Sequence, residues 1–330
     1  MTPIIICSIL FAVVFEFING FHDTANAIAT SVYTRALTVG RAIALAAGMN
    51  FIGALVSENV AKTITTGLVS VRLEEYVILA ALIGAILWNL FTLWRGIPSS
   101  SSHALIGALI GATVVHTLSV KSVKWEGVLE KIVIPLFTSP LVGFFIAFLL
   151  MKLLRRLLAG VYRNHPNRVF LRLQILSASL VAFSHGTNDA QKTMGIITLA
   201  LISGGVLPLD SGVPWEVKLL CAATIAAGTS IGGWKIMKTM GGGVIKLEPS
   251  SGFVAETTSA LVIESMSFLG APISTTQVIT AAVMGAGTAR RLRSVKWQTV
   301  SRIVRTWVLT LPASALLGGI SVYFVQFFVV

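Results

Sequence analysis

Long runs without a charged residue divide the chain. They cover 42–57, 76–94, 96–120, 132–151, 173–188, 193–209, 219–234, 265–289 and 306–330. Several approach or exceed the ~20 residues a helix needs to cross the hydrocarbon core of a bilayer. The shorter ones lengthen where a terminal charge snorkels to the interface. Period-two alternation is absent over any long stretch, so the pattern predicts helices rather than a barrel. Residues 3–15 lack a basic start and a small-residue cleavage site, and the apolar pattern continues past them. They read as the first span, not as a signal peptide. The longest polar interruption, near 152–172, leaves no room for a soluble domain.

Composition supports a membrane protein. Of 330 residues, 55% are apolar and 12% are charged, against about 25% charged in an ordinary soluble domain. The mean hydropathy of +0.86 agrees. A net charge of +12 raises the question of nucleic acid, and its placement answers it. Twelve of the 25 basic residues fall in two windows, 152–172 and 290–305, neither of which holds an Asp or Glu. That is the Lys/Arg bias of cytoplasmic loops, so no nucleic-acid partner is expected. Cys7 and Cys221 form no metal-spaced pair and no disulfide framework. The stretch from Gly228 to Lys235 lacks Walker A spacing, which disfavours ATP-driven transport by this chain alone.

Three segment pairs recur in the same order. HDTANAIAT at 22–30 matches NDAQKTMGI at 188–196, with Asp23 on Asp189 at an offset of 166. VAKTITTGLV from Val60 matches IMKTMGGGVI from Ile236 at 176, and PSSSSHALIG at 98–107 matches PISTTQVITA at 272–281 at 174. Together they argue duplication. The expected division is a first half at 1–155, a basic cytoplasmic connector at 156–171 and a second half at 172–330. With both basic windows inside, the C-terminus lies outside. The segment matching 290–305, near 116–131, mixes Lys121, Lys124 and Lys131 with Glu126 and Glu130, which suits the outside. The halves are then inverted. The predicted fold is an all-α polytopic membrane protein of two inverted-topology repeats with broken or re-entrant helices, a design with its binding site at the repeat interface.

Asp23 and Asp189 each lie in a long apolar stretch with Gly and Asn near its middle. A break there would free backbone carbonyls. A carboxylate at that depth costs at least ~2.5 kcal/mol on insertion scales, and a cation held by carboxylate, amide and carbonyl oxygens would offset it. Pro98-Ser99-Ser100-Ser101-Ser102 and Pro272-Ile273-Ser274-Thr275-Thr276 each open an apolar helical run. Capping explains such residues. Two such starts at a repeat interface would also surround a tetrahedral oxyanion with hydroxyls and helix-start N–H groups. Gly107, Gly111, Gly285 and Gly287 follow as close-packing positions. Lys62 and Lys238 read as interfacial anchors. His22, His103 and His185 read as hydrogen-bonded structural residues able to titrate near neutral pH.

GFHDTANAIAT, SHGTNDAQKT, PSSSSHALIGALIG and GFVAETTSALVIES…GAPISTTQ together resemble the inorganic phosphate transporter (PiT) family, over nearly the whole chain. The resemblance is to its prokaryotic branch. Its signature often reads G-A-N-D-V-A-N; here His22 replaces the first Asn, and Lys192 the last Asn of the second copy. The resemblance implies cation-coupled phosphate symport by alternating access in the cell (inner) membrane, with Na+ favoured as coupling ion. The alternative is an H+-coupled phosphate or sulfate permease. It makes Ser101, Ser102, Thr275 and Thr276 phosphate-binding candidates, joined by Asn26, Gln191 and Lys192. Asp23, Asn188, Asp189 and Glu256 become cation-site candidates. Lys192 would either add positive charge near the anion or neutralise an Asp. No cofactor is expected beyond the coupling ion; lipid surrounds the chain, and a homo-oligomer stays open. An intramembrane hydrolase is disfavoured: Ser102 and His103 are adjacent on a helix and do not face each other, and HExxH is missing. A passive channel is the remaining class.

Overall fold

The computed structural model describes residues 2–68, 73–157, 166–208, 210–290 and 295–329. Residues 158–165 of the expected connector and 291–294 of the second basic window lie outside the described residues. The elements are helices: α1 (Pro3–Tyr33), α2 (Val39–Ala54), α3 (Asn59–Gly67), α4 (Glu75–Arg95), α5 (Ser101–Thr117), α6 (Trp125–Val128), α7 (Ile134–Leu157), α8 (Pro166–Ser203), α9 (Trp215–Ile231), α10 (Trp234–Gly243), α11 (Pro249–Phe268), α12 (Thr275–Arg290) and α13 (Trp297–Val329). A π-helical turn, Leu129–Val133, joins α6 to α7. Among the described residues, five helices are long and apolar enough to cross a membrane, and up to seven if each of two bent pairs counts as one span.

Local sequence explains the ends. Thr2 caps α1, accepting the Ile5 N–H at 3.3 Å, and Pro3 supplies a preset φ at the first turn. Glu75 opens α4 and Arg95 closes it, each matching the helix dipole, and Gly96 at φ 63° provides the left-handed cap. Pro249 and a Glu248/Ser251 capping box start α11.

The expected breaks at the two Asp stretches do not occur. α1 runs unbroken for 31 residues and α8 for 38. The chain bends instead between α2 and α3, by 62°, and between α9 and α10, by 71°. The glycines beside the Asp residues serve packing. A Cβ on Gly20 would meet the α9 backbone at Ile225 and Gly228, and one on Gly186 would meet the α2 backbone at Asn50. Helices approach closely where a residue has no side chain.

Six elements recur in order: α1/α8, α2/α9, α3/α10, α4/α11, α5/α12, and the 33-residue run from Trp125 to Leu157 with the 33 residues of α13. The halves interlock. α1 packs on α9 while α8 packs on α2, and α5 packs on α13 while α12 packs on α7. Two apolar cores result. One gathers Ile5–Ile18 of α1, α4, α5 and the Ala190–Leu201 part of α8. The other gathers Ala25–Ala29 of α1, Val181 and Ala182 of α8, α7 and α10–α12. α1 passes from the first core to the second, and α8 passes the other way. Asp23 and Asp189 sit at these crossovers.

Candidate functional site

Each crossover Asp receives a hydroxyl from the start of a helix. Ser100 caps α5 by accepting the His103 N–H at 3.1 Å, and Ser274 does the same for Gln277 at the start of α12, at 3.3 Å. This fixes Ser101 and Ser102, and Thr275 and Thr276, as first-turn residues. First-turn N–H groups have no carbonyl partner within their own helix, so both helix starts bring partial positive charge to the same place.

Asp23 is 2% exposed. Its Oδ2 accepts from Ser101 Oγ of α5, and its Oδ1 accepts from Thr276 Oγ1 of α12 at 3.0 Å. His22 Nδ1 lies 2.8 Å from Oδ1, and Asn19 Oδ1 lies 2.7 Å from Ser101 Oγ. Asp189, fully buried, mirrors this. Thr275 Oγ1 donates to its Oδ2 at 3.0 Å, His185 Nε2 lies 3.0 Å from the same oxygen, and the Lys192 ammonium pairs with Oδ1. Lys192 also donates to Ser102 Oγ and, at 3.0 Å, to Ile273 O. Ser102 Oγ donates to Ile273 O at 3.0 Å. One ligand atom each from Asp23, His185 and Asp189 lies within 4.8 Å of the others. Two carboxylates this close in a dry interior repel strongly unless cations compensate.

Of the residues expected from sequence, Asp23, Asp189, Ser101, Ser102, Thr275, Thr276 and Lys192 come together. The side chain of Asn26 lies outside the described residues. Three others make their bonds elsewhere. Asn188 Nδ2 donates to Ser267 Oγ and Ala271 O, fixing the end of α11. Gln191 Oε1 accepts the N–H groups of Val60 and Ala61 and so caps α3. Glu256 accepts from Thr30, Gln174 and Ser177 in a separate buried cluster joining α1, α8 and α11. For Gln191 the reason is angular. Helix positions advance about 100° per residue, so Gln191, at i+2, faces away from Asp189 while His185 and Lys192, at i−4 and i+3, share its face; Asn188, at i−1, is drawn off by its bonds to Ser267 and Ala271.

Asn19 and Glu16 are absent from the set expected from sequence, and His185 stands there only as a structural residue. Asn19 and His185 each precede an Asp by one turn, a spacing visible in the sequence. Glu16, two turns before Asp23, accepts from Thr193 Oγ1 and is fully buried. A second buried network ties His185 Nδ1 to Asn50 Oδ1 at 3.1 Å, and Asn50 Nδ2 to Thr24 and Thr229 at 3.0 and 2.9 Å. It locks α8 to α2 and α9 behind the site.

Comparison with known proteins gives one answer. The model of the phosphate transporter family matches two stretches, residues 19–163 and 158–318. A Bacillus subtilis (strain 168) protein named "probable low-affinity inorganic phosphate transporter" is 46% identical over 325 residues, covering 98% of this chain and 96% of its own. A Rhizobium meliloti (strain 1021) protein of the same name is 45% identical over 320 residues, covering 96% and 95%. A solved structure called "the sodium-dependent phosphate transporter" superposes with a TM-score of 0.90 at 28% identity, covering 100% of both chains.

Proposed function

The chain belongs to the phosphate transporter family, and from that premise we propose that it moves inorganic phosphate together with a cation, Na+ in preference to H+, by alternating access. It is a multi-pass membrane protein of a family of phosphate transporters, not enzymes. The finer reading places phosphate between the starts of α5 and α12, the cation at Asp23, and the chain in the cell membrane. Na+ is preferred because the Asp23 cluster offers oxygens of carboxylate, hydroxyl and amide, the donors hard cations take, and because the similar solved structure is named for sodium dependence.

One observation carries the mechanism: Ser101 and Thr276, from different halves, both set a hydroxyl against Asp23, Ser101 sharing its one hydrogen between Asp23 Oδ2 and Asn19 Oδ1. A hydroxyl has one hydrogen and two lone pairs. While the hydrogen bonds the carboxylate, it is unavailable to an anion. A cation entering between them takes lone pairs from carboxylate and hydroxyls together. The hydroxyl hydrogens are then released toward phosphate, and the added positive charge lowers the cost of bringing the anion in. Each ligand thereby raises the affinity of the other by the same factor. The opposed passage of α1 and α8 between the two cores supports the inverted relation of halves 1–155 and 172–330, which lets one rocking motion open the site to either side.

The test is radiolabelled phosphate uptake in proteoliposomes with Na+ and pH gradients imposed separately. Accumulation under an inward Na+ gradient is expected. Uptake driven by a pH gradient alone and indifferent to Na+ would transfer the coupling to H+, and sulfate outcompeting phosphate would change the substrate.

A further inference from the structure

Among their differences, the two half-sites differ in what bridges the carboxylate to the hydroxyl of the opposite half. Lys192, 1% exposed, directs its ammonium at Asp189 Oδ1, Ser102 Oγ and Ile273 O. An ammonium has three donors, and here all three meet oxygen. Carboxylate, hydroxyl and backbone carbonyl are also the ligands a hard cation selects. The carbonyl is accessible because Ile273 stands just before the first turn of α12.

At the first half-site, among the described residues, Asp23 pairs with the His22 imidazole and with no ammonium. At the 166 offset that pairs Asp23 with Asp189, the partner of Lys192 is Asn26. At the 174 offset, Thr276 is the partner of Ser102. Thr276 reaches Asp23 directly, at 3.0 Å, whereas Ser102 meets Asp189 through the Lys192 ammonium. The ammonium stands in the second half-site where, among the described residues, the first sets hydroxyls and an imidazole against its carboxylate and no Lys or Arg.

We propose that Lys192 is a built-in cation: its ammonium permanently fills the half-site around Asp189, leaving the half-site around Asp23 to exchange a cation with solution. The inference rests on the cation-coupled reading above and goes beyond it by setting the stoichiometry. The chain couples with one exchangeable cation fewer than a protein with two open half-sites. Lys192 is then not a phosphate ligand, since its three hydrogens are engaged.

The test counts bound 22Na+ per chain in purified, detergent-solubilised protein at saturating Na+, for wild type, Lys192→Asn and Asn26→Lys. Lys192→Asn recreates the first-half residue and is expected to bind one more Na+ than wild type. Asn26→Lys is expected to bind one fewer. Folding is checked by melting temperature and gel-filtration elution. A folded Lys192→Asn that binds no more Na+ than wild type overturns the proposal. If that variant does not fold, Asn26→Lys decides: an unchanged count overturns it. A wild type that binds none while Lys192→Asn binds one leaves the built-in cation standing and defeats only the Na+ assignment at Asp23. Phosphate titration supplies a second readout. High Na+ is expected to restore phosphate affinity in Lys192→Asn; a loss that persists at every Na+ concentration would make Lys192 a phosphate ligand and overturn the proposal.

Discussion

At the scale of residues, coupling turns on which oxygens share the hydroxyl hydrogens beside Asp23. Asp23→Asn keeps the shape but removes the charge that attracts the ion. It is expected to abolish the Na+ dependence of phosphate uptake and, because linked ligands act reciprocally, to weaken phosphate binding as well. Thr276→Ala and Ser101→Ala instead remove a donor. A hydrogen bond to a charged group is worth roughly 1.5–3 kcal/mol, so each is expected to raise the phosphate concentration for half-maximal uptake about tenfold or more. Titrating Na+ at fixed phosphate, and phosphate at saturating Na+, separates the two effects. Normal ion dependence in Asp23→Asn would remove the cation from this carboxylate. Much of this site is legible in the sequence because duplication prints it twice: Asp23 with Asp189, Ser101 with Thr275, Ser102 with Thr276. Proximity in the chain draws in Asn188 and Gln191, although their side chains bond to Ser267, Ala271 and the start of α3. Glu16 escapes notice because its partner, Thr193, lies on another helix, and no local spacing announces such a contact.

At the scale of elements, glycine position is harder to read than apolar length. Gly and Asn near Asp23 and Asp189 suggest broken helices, since both residues weaken helix interiors. The helices continue because their neighbours use those gaps for backbone contact, a tertiary gain no single segment reveals. The packing role assigned from sequence to Gly111 is testable. A Cβ there would meet the backbone of Ala315 on α13. Gly111→Leu is expected to separate α5 from α13, lower the melting temperature in detergent and reduce uptake, with overpacking costing about 1–3 kcal/mol. At Gly48, on α2, a Cβ would meet nothing within 4 Å. Gly48→Ala is expected to be neutral or to stabilise by up to about 1 kcal/mol through helix propensity. Equal effects of the two substitutions would contradict the packing account.

At the scale of the whole molecule, two interlocked halves hold a polar centre between two apolar cores, and charge sets the orientation. By their Lys/Arg bias the basic windows, with Arg156 and Lys296, both exposed, are expected on the cytoplasmic side. In a Cys7→Ala background, which leaves the buried Cys221 as the native thiol, cysteines at these positions are expected to resist an impermeant reagent in intact cells and to react in inside-out membranes. Ready labelling in intact cells would reverse the orientation. The central claim, that a cation at Asp23 releases hydroxyl donors to phosphate, makes ion and anion binding one linked equilibrium. Its most direct measurement is phosphate affinity of the purified protein at fixed pH and ionic strength, with Na+ replaced by choline. The account predicts at least about tenfold tighter phosphate binding in Na+, with the gain lost in Asp23→Asn; equal affinity in the two salts would contradict it.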